Sequence, residues 1–136
     1  MIDAVLEVLQ RGNEEEIIDL LTYRALPCAG AGPTCPQGAP AGSLVDAMPN
    51  KVCVGGFDTA DEAPGAVSRD WSQYALHAVT SLKDGREGAL VVLASSDGPF
   101  AIELVEGKIV AINSGCGPGY PDTLFDGPTN YLLPPL

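Results

Sequence analysis

Apolar and polar residues recur along this chain with two periods, and the change of period divides it. Through the first twenty-one residues apolar positions fall every three or four: Val5, Leu6, Val8 and Leu9, then Ile17, Ile18, Leu20 and Leu21. That is the spacing of an amphipathic helix. Gly12 interrupts it, so two helices are predicted rather than one. Asp3 is the predicted cap of the first. Asn13 is the predicted N-cap of the second, with Glu16 at capping-box spacing. Glu14, Glu15 and Glu16 fill the first turn, where the helix dipole favours anions. They read as a solvated face rather than an acidic binding surface.

From residue 74 the period falls to two. Tyr74–Leu82, Gly88–Ser95, Pro99–Val105 and Lys108–Asn113 read as four strands. Asp84–Gly85, Asp97–Gly98 and Glu106–Gly107 supply the turn residues between them. Turns this short join antiparallel neighbours, which makes a meander. The run Ala89–Ala94 is apolar at every position, so it predicts a central strand covered on both faces. The N-terminal helices are the expected cover. The fold class expected is therefore α+β: helices packed on a curved antiparallel sheet, a four-strand meander plus a short strand at Lys51–Val54.

The rest of the chain has neither period. Leu26 to Gly42 reads LPCAGAGPTCPQGAPAG, too rich in Pro and Gly for a helix or a central strand. Its two cysteines predict an ordered, cross-linked loop at 27–42. Thr59 and Glu62 repeat the capping-box spacing, Pro64–Gly65 predicts an interruption, and a short helix is expected over Ala66–Gln73. Residues 117–136 hold five prolines and three glycines, yet also Tyr120, Leu124, Phe125, Tyr131, Leu132 and Leu133. They form an extension expected to wrap over the domain or dock on a neighbouring subunit. The domain proper is 1–116.

Composition narrows the function. At 136 residues the chain fits one domain, and a 46% apolar content is that of a globular protein. Seven basic against eighteen acidic residues give a net charge of −11. Nucleic acid and anionic membrane surfaces both call for clustered Lys and Arg, so neither is an expected partner. No stretch is long and apolar enough to span a bilayer.

Four cysteines, Cys28, Cys35, Cys53 and Cys116, carry the strongest chemical signal, and they allow three connectivities. Pairing Cys28–Cys35 would contribute about 2.5 kcal/mol and Cys53–Cys116 about 4 kcal/mol by loop entropy. Intervals of six, seventeen and sixty-two residues suit zinc poorly, since structural zinc favours close pairs. Disulfides rank ahead of free buried thiols and of a metal, and no metal or cofactor is expected. Oxidised cysteines place the protein outside a reducing cytoplasm, secreted or extracytoplasmic, with its leader outside this chain. A native start at Met1 would instead place it in the cytoplasm.

Other candidates are fewer. His77 is the sole histidine, and strict alternation sets it with Ala75, Val79 and Ser81 on one face. There it reads either as a general base in a pocket or as a polar residue on an exposed face. Asp70, Trp71 and Tyr74 precede that strand and could line the mouth of a pocket for a small amphipathic ligand, although the single tryptophan reads first as a core residue. Asp58, Asp61 and Glu62 lack the alternating pattern of a calcium loop. No nucleophile elbow, zinc-protease, phosphate-loop or dinucleotide motif is present. Catalytic residues are not assignable.

The segment VLEVLQRGNEEEIIDLL resembles the opening of the nuclear transport factor 2-like (SnoaL-like) superfamily, with its Gly-Asn break between helices. GPFAIELVEGKIVAINSG resembles that superfamily's closing hairpin. The resemblance implies a cone of bent antiparallel sheet around helices, a pocket between them, and frequent dimerisation. Members include isomerases, dehydratases, cyclases and non-catalytic binding modules, so fold does not give function. The Pro/Gly/Cys stretch and the apolar extension depart from the family's pattern, and no catalytic residue transfers. The expected function is a non-enzymatic interaction or self-assembly module using the extension, as a homo-oligomer or with an assembly partner. The alternative is a small-molecule binding protein or isomerase- or dehydratase-like enzyme with a pocket near His77.

Overall fold

Gly12 takes φ +71°, a left-handed conformation that glycine adopts without steric cost, and the chain breaks there between two helices. A computed structural model describes residues 2–30, 32–50, 56–82, 87–95, 98–113 and 131–133. Helix α1 runs Ile2–Arg11 and α2 runs Glu14–Leu20. Asp3 lies in the first turn of α1 rather than capping it, because the helix already begins at Ile2. Asn13 caps α2 as expected: its side chain accepts from the Glu16 amide at 3.2 Å. The Glu16 carboxylate turns instead to Arg11, in an exposed ion pair across the break.

The strands are β1 (Arg24–Pro27), β2 (Leu44–Pro49), β3 (Phe57–Thr59), β4 (Ala75–Ser81), β5 (Ala89–Ser95), β6 (Gly98–Val105), β7 (Lys108–Asn113) and β8 (Tyr131–Leu133). They form two sheets. The smaller has the order β1-β2-β3 and the larger β7-β6-β5-β4-β8, every pair antiparallel. The four-strand meander is present, and the N-terminal helices pack on this curved sheet, so the α+β class holds. Glu106 and Gly107 make the last turn with φ +52° and +77°, the mirror-image geometry of a tight hairpin. The small sheet departs from expectation. Its strands flank Lys51–Val54, and that expected strand lies outside the described residues.

Ala66–Gln73 is not one helix. Helix α3 covers Ala63–Ala66, and a separate 3-10 turn covers Trp71–Gln73. Pro64 opens α3 rather than interrupting it, since a proline in the first turn sacrifices no helical hydrogen bond.

One face of the large sheet meets the helices. Val5, Leu9 and Ile17 pack there with Val91, Phe100, Ile102, Leu104, Ile109 and Ile112. Leu82, Leu90, Val92 and Ala101 are buried on the opposite face, so β5 is covered on both sides as its sequence requires. Within the meander strict alternation fails at two places. His77 is an extra residue on β4, between the pairs Leu76–Leu93 and Ala78–Val92. Val110 is an extra residue on β7, between Leu104–Ile109 and Glu103–Ala111. Each bulge resets the period, so Leu76 and Val79 both face the core although three residues separate them. Bulges also bend and twist the strands that carry them, which suits a curved sheet.

Both sides of the four-strand meander are partly closed. On β7, Leu21 bridges Ile109 and Asn50 bridges Ile112, both in parallel. On β4, β8 pairs at Val79 and Thr80.

Candidate functional site

The loop between β1 and β2 is held covalently. Cys28 and Cys35 form a disulfide with a Cα separation of 4.9 Å. The hairpin ladder runs on past the strands, with the Cys28 amide donating to Ser43 O at 2.9 Å and the Gly42 amide to Cys28 O at 3.0 Å. Ser43 Oγ donates to Pro40 O at 2.7 Å. Ala29 holds φ +90°, where a side chain is strained, so the crosslink bears on an unfavourable turn. Cys53 and Cys116 lie outside the described residues. Asp58 accepts from Asn50 Nδ2 at 2.7 Å. Glu62 accepts from the Thr59 amide and hydroxyl. Among the described residues no three His, Cys, Asp or Glu side chains converge as a metal site would require.

Of the four residues singled out around the start of β4, the structure brings two into contact. Trp71 is 2% exposed. Its ring centre lies 5.1 Å from that of Tyr74 and 5.3 Å from that of Phe100. Its indole N–H donates to Val67 O at 3.0 Å, which satisfies the one polar atom such burial would otherwise strand. These three rings occupy the core between helices and sheet. Gln10 of α1 reaches the same turn, donating to Tyr74 O at 3.3 Å. Asp70 caps the 3-10 turn. It accepts from the hydroxyl of Ser72, from Gln73 Nε2 and from the Ser72 amide, and these bonds hold its carboxyl below the usual range. His77 sits at the β4 bulge, half-buried, and forms no side-chain hydrogen bond with Asp70, Trp71 or Tyr74.

A residue not singled out from the sequence completes this corner. Arg69 lays its guanidinium over the Phe100 ring, 4.4 Å from the centroid. Nη1 donates to the Tyr74 hydroxyl at 2.9 Å and Nε to Ala66 O at 3.2 Å. The signal was an arginine five residues before Tyr74, close enough to reach it once the chain turned back. Phe100, its other partner, lies thirty-one residues on and was not legible. Beside Arg69, a cleft of about 130 Å³ opens between α2 and α3, lined by Gly12, Glu14, Ile17, Ile18, Val67 and Arg69 among others.

Of the expected assembly contacts, Tyr120, Leu124 and Phe125 lie outside the described residues. Tyr131, Leu132 and Leu133 form β8. A polar contact joins the two sheets near β7. Asn50 bridges to Ile112, and its buried Oδ1 has no hydrogen-bond partner among the described residues. Tyr23 is pushed up by burial and by the Asp58 carboxylate.

No protein-family model matches the chain, and no curated protein matches it. The solved structures similar to the chain at low identity include the following three. A de novo designed protein with a curved β-sheet is 13% identical, with a TM-score of 0.47 over 90% of this chain and 87% of that one. A DUF4783 family protein from Bacteroides ovatus is 14% identical, with a TM-score of 0.43 over 82% and 90%. Another from Bacteroides fragilis is 15% identical, with a TM-score of 0.40 over 83% and 95%.

Proposed function

We propose that the protein is a non-enzymatic, extracytoplasmic interaction module that self-assembles through its C-terminal extension. The observation that carries this reading is β8. It joins the sheet by backbone pairing at the edge of β4, Val79 with Leu133 and Thr80 with Tyr131. Strand addition to an exposed edge is a recurring way for an extended segment to bind a folded domain. Pro134 and Pro135 follow in sequence and have no N–H to continue the ladder, so the segment is built for a short attachment. The aromatic cluster filling the core and the Cys28–Cys35 disulfide favour a stable module in an oxidising compartment.

Deleting residues 117–136 and measuring mass by light scattering tests the proposal. The expected result is a smaller species of lower thermal stability. A second variant, Leu124→Ser with Phe125→Ser, leaves β8 in place and is expected to dissociate the assembly. Unchanged mass and stability in both would overturn it. The second reading, a small-molecule protein with a pocket near His77, draws on the bulge that sets this residue apart from the ladder.

A further inference from the structure

We infer, resting on the assembly reading above, that β8 is exchanged between copies of this chain. Tyr131–Leu133 of one copy pairs with β4 of a second, and the second returns its own β8 to the first. Connectivity is the first ground. The large sheet runs β7-β6-β5-β4-β8, so β8 lies at the far side from the strand before it in the chain. Each neighbouring pair is antiparallel, which leaves β7 and β8 parallel to each other. Parallel strands need a crossover connection rather than a direct turn. To reach its own β4 edge the chain must pass three strands, four strand spacings or about 19 Å. Consecutive strands are usually neighbours, and the β4 edge of a second copy can be reached without that crossing.

Reach is the second ground. Seventeen residues separate Asn113 from Tyr131. A chain of that length spans up to about 56 Å, nearly three times the crossing. The third ground is what β8 holds. Among the described residues it packs on β4 and on no other element to a similar extent. Its register sets Leu133 opposite Val79 and Tyr131 opposite Thr80, with Leu132 between. Those contacts are the same whichever copy supplies the strand. In its own chain β8 has the advantage of a tether, an effective concentration on the order of 1 mM. Reciprocal exchange keeps that advantage, because the second β8 is tethered once the first has paired. None of these five residues is charged. The net charge of −11 on each copy therefore opposes approach at long range but not the pairing itself.

Mixed isotope labelling of the full chain reads exchange directly. One sample carries heavy nitrogen and deuterium, the other heavy carbon at its leucine methyls. The two are unfolded, mixed and refolded with disulfides intact, at about 1 mM protein to match the tether. About 1 M salt, where the Debye length is about 3 Å, screens the repulsion. A nuclear Overhauser contact from the Val79 or Thr80 amide to the Leu133 methyls can then arise only between copies. That contact is expected, with a dimeric mass by light scattering. A dimer without it would overturn strand exchange and leave the assembly reading standing; a monomer would overturn both. Leu132→Pro removes an amide from the middle of β8 and restricts the residue before it. It is expected to give a monomer of intact meander, and a dimer as abundant as that of the parent chain would also overturn exchange.

Discussion

Tyr23 is opposed twice in losing its proton: its ring is partly buried, and Asp58 stands near enough to repel a phenolate. Its folded pKa is raised above the ordinary value near 10. The neutral form is the one the fold accommodates, so its contribution is intact below pH 10 and is lost as pH climbs through the folded pKa. Tyr23→Phe should flatten the alkaline fall in melting temperature between pH 9 and 11; an unchanged slope would show that another group governs it. At this scale the sequence was legible where one residue decides alone. Gly12 and Asn13 act through their own backbone and side chain, and both do what their identity implies. His77 departs from strict alternation because its place in the ladder depends on pairing with β5, and no local pattern announces a bulge. Arg69 was missed because its partners Tyr74 and Phe100 meet only in the folded core.

Elements show the same division. β4 to β7 were readable because each couples alternation to turn residues, and their ends fall within one residue of expectation. β1, β2 and β3 were not. Leu44–Pro49 carries Asp46 in its middle and ends at a proline, and Phe57–Thr59 is three residues long. Such segments become strands by pairing with each other, not by any preference of their own. The α2 cap offers a clean test of an element. Asn13→Ala removes the acceptor for the Glu16 amide and should cost about 1 kcal/mol in denaturant unfolding. A loss under a few tenths would mean that the Arg11–Glu16 pair holds the break instead.

Among the described residues the two sheets meet along β2 and β7, at the Asn50–Ile112 bridge and where Met48 packs into the main core. Leu44, at the far end of β2, is 69% exposed. The outer end of the small sheet therefore has little apolar burial of its own and leans on Cys28–Cys35. Reduction should cost about 2.5 kcal/mol by the loop model, and amide exchange should quicken first in β1 and β2 while β5 and β6 stay protected. Uniform acceleration across both sheets would show a single cooperative unit. The β4–β8 pairing has a consequence in time. Val79 meets Leu133, fifty-four residues later in the chain, so on the ribosome β4 waits roughly 3–10 s for its neighbour. For that interval a half-made sheet shows a bare edge to every nascent chain nearby. The bulge at His77, which disrupts a regular ladder on that strand, is then a guard for the unfinished protein as well as a bend in the finished one.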